Sequence, residues 1–410
     1  MRVARQLVAA LLVGGIALAA ACGGDSGGGP VVPKTLVIAA GDSQSGLTGV
    51  TLATPLAVRL LGSDNRGYRD GVITWTVTSG SATLATPTST TDSTGIANNT
   101  LTLGGTAGQV TVQAVLTSLA PVSFAATSCD DPPFTFGSRV TGNLATTDCR
   151  FQGFYTDFYL LNLVDSAQQG LTVTDSALTY DAYFELYTNT GYYVGFDDDI
   201  SGTNTNAQLD AIVAPGAYLL APSSFSANVT GAYSLSAVAR SQALANCSLV
   251  WVTRGVSLAD SLTASDCTDG GGFHGDVVAI VAQTGTVIRV AQHSAAINPK
   301  LQLLSSAGVL LAQNDDSAVT GTNSYIAYTV PATAAFVIMA GSSTAGETGA
   351  YTMDISAATT LTGTAAEAPR GVAPFPFGAA RLSKDWSRLW RTRQVSQLPH
   401  FRPSSAAKTP

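Results

Sequence analysis

The sequence predicts an all-β chain built of serial sandwich modules, and three observations carry the prediction. Short apolar runs alternate with Thr and Ser, as in Ile73, Trp75 and Val77 against Thr74, Thr76 and Thr78, the period of a strand with one face on a core. Turns rich in Gly, Asn and Asp separate these runs. A long stretch also occurs twice: Tyr180 to Asp199 returns as Ile297 to Asp316, Cys129 and Cys149 map onto Cys247 and Cys267 with their spacing kept, and Gly231-Ala232-Tyr233 maps onto Gly349-Ala350-Tyr351. A fixed-period repeat says more about architecture than any single motif.

The 410 residues leave room for about three domains at roughly 100 to 150 residues each. Charged residues make up 11% of the chain and hydrophobic ones 45%, a profile of secreted β-rich modules with a buried core rather than of disorder. Charge is unevenly placed. From Thr359 onward there are eight Lys or Arg and two Asp or Glu, whereas residues 1–358 hold 12 basic and 25 acidic residues. Such an acidic body argues against nucleic acid as partner.

Residues 1–22 have Arg2 and Arg5, an apolar run from Leu7 to Leu18 and small residues up to Cys22, the layout of a secretory signal, too short and wrongly flanked for a spanning helix. Ala19-Ala20-Ala21-Cys22 followed by Gly23 resembles a bacterial lipobox, although Ala19 stands where Leu is usual. The resemblance implies that Cys22 is lipidated, that the protein is exported and that its membrane partner is reached through this anchor, at the outer membrane or cell surface. Residues 23–34 form a Gly/Ser/Pro tether.

Residues 35–128 read as a sandwich, with strands at Leu36 to Ala39, Leu56 to Leu61, Ile73 to Val77, Ala82 to Leu84, Ile96 to Leu103, Val110 to Leu116 and Val122 to Ala126, and with Trp75 as a core plug. Pro55-Leu56-Ala57-Val58, Gly71-Val72-Ile73-Thr74-Trp75 and Thr91-Asp92-Ser93-Thr94-Gly95-Ile96-Ala97 make this segment similar to the bacterial immunoglobulin-like domains of the invasin and intimin group. That resemblance implies a spacer.

Residues 129–246 and 247–358 are the paired modules. In the first, eight strands are expected: Arg139 to Leu144, Asp157 to Leu163, Leu171 to Thr174, Ala182 to Tyr187, Tyr192 to Phe196, Leu209 to Val213, Ala217 to Ala221 and Ala232 to Val238, a jelly-roll-like sandwich. Asp157-Phe158-Tyr159, Phe184-Glu185-Leu186-Tyr187, Asp197-Asp198-Asp199, Pro215-Gly216-Ala217-Tyr218 and Gly231-Ala232-Tyr233 resemble the bacterial pre-peptidase C-terminal domain. The second copy carries Asp276-Val277-Val278, Leu301-Gln302-Leu303-Leu304, Asn314-Asp315-Asp316 and Gly349-Ala350-Tyr351, but departs at Ala334-Ala335-Phe336. The resemblance implies β-sandwiches appended to exported proteins, where they aid substrate or surface binding.

The chemistry-bearing residues are few. Cys129 with Cys149, and Cys247 with Cys267, are spaced alike in an exported chain and predict one disulfide per module. Zinc is the competing reading, but no C-x-x-C occurs and the histidines are His274, His293 and His400, poor zinc material. Asp181, Asp197, Asp198 and Asp199, with Asp210, offer carboxylates for one Ca²⁺, and Asn298, Asn314, Asp315 and Asp316 a weaker second site. A solvated turn explains the same residues. Tyr155, Phe158, Tyr159, Tyr180, Tyr183, Tyr187, Tyr192 and Tyr193 crowd the first module and form either a binding face or core packing.

Catalysis finds no motif: H-E-x-x-H, G-x-S-x-G, a Walker loop and a dinucleotide fingerprint are all missing from the sequence. Residues 359–410 form a mostly unstructured basic tail in which Ala379 to Leu398, with Trp386, Leu389 and Trp390, suits a short amphipathic helix, an unstructured end or the remnant of a further domain. The sequence thus reads as a non-catalytic, lipid-anchored envelope protein whose sandwiches adhere to or capture polysaccharide or protein. The alternatives are a substrate-targeting part of a secreted peptidase system and a purely structural envelope protein.

Overall fold

The computed structural model describes residues 30–359 except 152, 165–168, 202, 241–243, 245–248, 269–271, 307 and 317–322. Cys22, Cys247, the leader and the basic tail therefore lie outside the described residues. Within them every regular element is a strand.

The first module contains β1 (Pro33–Ala40), β2 (Gln44–Leu47), β3 (Leu56–Gly62), β4 (Val72–Ser79), β5 (Ala82–Leu84), β6 (Thr88–Thr90), β7 (Ile96–Asn99), β8 (Leu101–Leu103), β9 (Gly108–Val115) and β10 (Val122–Cys129). Its sheets run β1-β3-β7 and β2-β10-β9-β4-β6, with β5-β8 as a separate ribbon. Alternation places Ile73 and Trp75 in the core, where Trp75 lies 5.8 Å from the Phe124 ring and donates its Nε1–H to Ser89 Oγ at 2.8 Å. The run at Ile96 to Leu103 breaks into two strands, and β2 and β6 are additions to the expected set.

The Thr91 to Ala97 motif is a self-capped turn. Asp92 Oδ1 accepts from the amides of Thr94 and Ile96 at 2.8 and 3.0 Å and from the Thr94 hydroxyl at 2.7 Å. These bonds, the Ile96 amide foremost, hold the Asp92 carboxyl below its ordinary value. Gly95 (φ +81) closes the turn where a Cβ would meet the Leu60 carbonyl at 2.3 Å.

The second module contains β11 (Pro133–Phe134), β12 (Arg139–Leu144), β13 (Cys149–Phe151), β14 (Phe154–Thr156), β15 (Tyr159–Leu163), β16 (Gln169–Ala177), β17 (Ala182–Thr188), β18 (Tyr193–Asp197), β19 (Ala207–Val213), β20 (Gly216–Ser224) and β21 (Gly231–Ala239). The third contains β22 (Val250–Val252), β23 (Val256–Leu262), β24 (Cys267–Thr268), β25 (His274–Ala282), β26 (Thr286–His293), β27 (Pro299–Ser305), β28 (Leu310–Asn314), β29 (Ser324–Thr329), β30 (Ala334–Ser342) and β31 (Gly349–Thr359). Pairing repeats between them: β12-β21-β16-β19 answers β23-β31-β26-β29, and β11-β15-β20-β17-β18 answers β22-β25-β30-β27-β28.

The paired modules are not separate sandwiches. Strand β22 pairs in parallel with β25 of its own module and also with β19 of the module before it, so one ten-stranded sheet runs through both. Alternate residues of that sheet serve two cores. Val277, Ala279, Val337 and Met339 belong to the core of the second module, whereas Val278, Ile280, Ile338 and Ala340 belong to that of the third. The equivalent strand β11 begins at Pro133, which stands at the place of Trp251 and has no N–H to offer an outer neighbour.

The first junction is closed differently. Strand β2 runs parallel to the end of β10, Cys129 at that end is bonded to Cys149 on β13, and the Arg150 amide donates to Ser45 Oγ at 3.1 Å. Leu47 and Val50 pack with Phe158, Tyr187 and Leu219 in a small core around the bridge.

Candidate functional site

The first junction also holds a cleft of about 410 Å³, floored by Ser128 and Cys129 on one side and by Asp130, Asp148, Asp157 and Tyr159 on the other. Asp148 sits in the turn before β13 and Asp157 immediately before β15, so the chain reversal at the disulfide brings both carboxyls together. They share a hydrogen bond. The Tyr233 hydroxyl on β21 donates to Asp157 Oδ2 at 2.5 Å and lies 2.8 Å from the Tyr159 hydroxyl, fastening one sheet of the sandwich to the other.

Burial dominates the electrostatics. It pushes the Asp157 carboxyl up to about 6, against a lowering by the Tyr233 hydroxyl, and the neighbouring Asp148 charge raises it further. Burial raises Asp148 as well, the Ala145 amide opposing it. Behind this pair Asp175 on β16 is 0% exposed, and neither of its carboxylate oxygens meets a hydrogen-bond partner among the described residues. Its carboxyl lies well above the ordinary value through burial first and the Asp157 charge second. At neutral pH a cluster of this kind can hold a proton and present both donors and acceptors to a hydroxyl-rich or cationic ligand.

The third module keeps the fastener and the acidic neighbour, with buried Asp266 before Cys267 where Asp148 precedes Cys149, but replaces the innermost carboxylate. The Tyr351 hydroxyl donates to Asp276 Oδ2 at 2.7 Å, and burial pushes Asp276 up to about 8. Asp175 pairs across from Leu235, and the repeat places Gln292, across from Met353, at its position. Gln292 is equally buried and donates its Nε2–H to the Gly341 carbonyl at 3.1 Å.

The residues singled out in the sequence fall in several places. Cys129 and Cys149 are bonded, with Cα atoms 5.7 Å apart. Cys267 is disulfide-bonded too, while Cys247 lies outside the described residues. Asp197, Asp198 and Asp199 are buried, at 1, 0 and 9% exposure, where β18 ends. Asp197 staples its own turn, Oδ1 accepting from the Asp198 amide and Oδ2 from the Gln208 amide, each at 3.0 Å. Asp181 is half-buried before β17, and its carbonyl accepts from the Phe225 amide at 2.8 Å.

Asp210 does not join this turn: it accepts from Thr172 Oγ1 at 2.6 Å and faces Arg240 Nε at 3.5 Å. In the second copy Asn314 caps its turn through Asp316, Asp315 and Asp316 are exposed, and the Asn298 amide is held by Glu347 Oε2 at 3.0 Å. Among the described residues no three His, Cys, Asp or Glu side chains converge as a metal-holding group.

The aromatic residues of the second module form core, not an outward face. Tyr183, Tyr187 and Phe158 are buried, and Tyr155, Tyr159, Tyr180, Tyr192 and Tyr193 are at most partly exposed. Sequence reasoning passed over Asp148, Asp175, Tyr233 and Tyr351 as functional residues. The signal available was the Asp and the Gly-Ala-Tyr recurring together in both copies.

No family model matches the chain, and no curated protein matches it. Solved structures give partial likenesses. The pre-peptidase C-terminal domain of a Bacillus anthracis collagenase is 15% identical over 27% of this chain and 95% of its own, with a TM-score of 0.22. A C-terminal fragment of intimin, solved with the intimin-binding domain of the translocated intimin receptor, is 11% identical over 59% of this chain and 70% of its own, at 0.23. A Bacteroides ovatus protein of a mixed-linkage glucan utilization locus, solved with a heptasaccharide, is 9% identical over 78% of this chain and 99% of its own, at 0.14. Superpositions at this level leave ligand and activity unassigned, and the chain is similar in part to β domains of these kinds.

Proposed function

We propose that this chain is a non-catalytic cell-envelope lipoprotein, anchored through Cys22, whose sandwiches mediate adhesion or capture of extracellular polysaccharide or protein. The observation that carries the reading is the closure of both junctions. A shared ten-stranded sheet and a disulfide-centred core hold three modules in fixed relation, which serves presentation of a contact surface rather than a moving catalytic lid. The acidic cleft at the first junction is the contact point, with Asp148 and Asp157 as the hydrogen-bonding pair.

A calcium ion at Asp181 and Asp197 to Asp199 is part of the same proposal, supported by the burial of three successive carboxylates; the ion would have to draw together side chains that do not converge without it and take backbone carbonyls for the remaining oxygens. Asn314, Asp315 and Asp316 are the weaker site. Melting the protein with calcium or with chelator tests it, and an unchanged midpoint at millimolar ion removes calcium from the reading.

The main test is an array of glycans and matrix proteins probed with the full chain. Retention on one ligand class, lost in Asp148→Asn with Asp157→Asn, supports capture at the cleft; an array with no retained ligand overturns it. For the anchor, Cys22→Ala should release the protein from membranes, and continued membrane association would sink that part.

A further inference from the structure

The strand that joins the paired modules has a second copy in the tail. Ser248 to Ser257 reads SLVWVTRGVS, and Ser387 to Ser396 reads SRLWRTRQVS, with Ser, Trp, Thr, Arg, Val and Ser in the same places. In the first of these the shared residues make the junction. Trp251 donates its Nε1–H to the Phe196 carbonyl at 3.1 Å and lies against Gly195. The Thr253 amide donates to the Ile212 carbonyl at 3.2 Å, and Thr253 Oγ1 accepts from the Ala214 amide at 2.9 Å. Arg254 stands over the Tyr192 ring at 5.4 Å.

The edge that receives this strand also occurs twice. Leu171 pairs with Ala211 and the equivalent Ile288 with Tyr328, so β29 repeats β19 residue for residue. On β19, Ala211 and Ile212 are 0% exposed because β22 covers them. On β29 the equivalent Tyr328 is partly exposed and Thr329 is exposed, and β26 is its strand neighbour among the described residues. Alternation along an antiparallel pair turns the amides and carbonyls of Ala327 and Thr329 away from β26. Val309, at the place of Tyr192, is 55% exposed. An open edge beside apolar surface is a pairing template.

We propose that residues 387–396 of the tail add to the outer edge of β29 as β22 adds to β19, with Trp390 in the role of Trp251. The strand covers the β29 edge of the third module's four-stranded sheet. About 27 residues separate Thr359 from Ser387, a tether that reaches the edge many times over at ~3.3 Å per residue. The fit differs from the first junction in three places. Ala312 stands for Gly195 and shifts the indole outward, Pro331 stands for Ala214 and removes one amide donor, and Gln394 stands for Gly255, whose φ of +78° turns β22 into β23. The last difference marks where the tail strand stops following its template.

The test is hydrogen exchange by mass spectrometry on the full chain, read on the peptide spanning residues 324–330. Trp390→Ala should speed exchange there by tenfold or more while Trp386→Ala, outside the motif, leaves it unchanged; equal exchange in wild type and both variants overturns the proposal. A Thr329→Cys, Thr392→Cys variant, oxidised at micromolar concentration, should give a bridged monomer. A bridged dimer, or no bridge, overturns the assignment to the chain's own tail.

Discussion

The indole of Trp251 lies against Gly195, where a Cβ would stand 2.4 Å from its ring atoms, and its Nε1–H reaches the Phe196 carbonyl at 3.1 Å. The second module supplies the seat and the third supplies the plug. Replacing Trp251 with Ala opens a cavity in a core shared by both modules, a loss of about 3–5 kcal/mol. The expected calorimetric result is a lower first transition that separates from the second as the modules uncouple.

Asp175→Asn should stabilise the protein near neutral pH. It replaces a buried carboxylate whose oxygens lack partners among the described residues with a neutral isostere, the solution already present at Gln292. The gain is on the order of 1–3 kcal/mol, read as a higher denaturation midpoint in urea. A lower midpoint would show that the carboxylate is held by something else.

Stability should fall as pH rises through the neutral range. Burial lifts Asp276 to about 8 from an ordinary 3.8, so the folded state holds this proton more tightly than the unfolded chain. Its contribution is fully present below about pH 3.8 and is lost as pH rises through about 8. Asp157, lifted to about 6, adds to the earlier part of the fall. Thermal melts in pH steps should show the midpoint dropping by about 5 °C or more across that window, and Asp276→Asn should flatten the upper half of the curve.

Reduction of the Cys129–Cys149 bridge, which closes a separation of 20 residues, should cost about 3 kcal/mol and loosen the first junction. Peptide mapping should recover that pair intact within one chain. Pairing of either cysteine with Cys267 would contradict the connectivity.

Much of the strand set was legible because alternation survives wherever one face meets water, as at Ile73, Trp75 and Val77. All eight strands expected in the second module are present, two of them with edges that match or nearly match the reading: Arg139–Leu144 and Ala182–Thr188. Alternation fails where both faces are covered. Tyr183 and Tyr187 on β17 are buried, so a sequence rule that sends every second residue outward could not tell a binding face from core. The sharing of β22 was equally hidden. Val250-Trp251-Val252 reads as an ordinary core strand, and only its distant partners on β19 reveal the common sheet. The Asp157 to Tyr233 fastener was visible as recurring letters, but its meaning needed the two sheets face to face.

Pro133 gives the array a direction. Where Trp251 enters a neighbour's sheet, the corresponding residue of the second module is Pro133, which has no amide hydrogen to contribute. A recombinant chain with the two sandwiches transposed would therefore set a proline against an open rim and weaken the seam between them, even though every individual domain was retained. The order of the units is written into their leading edges.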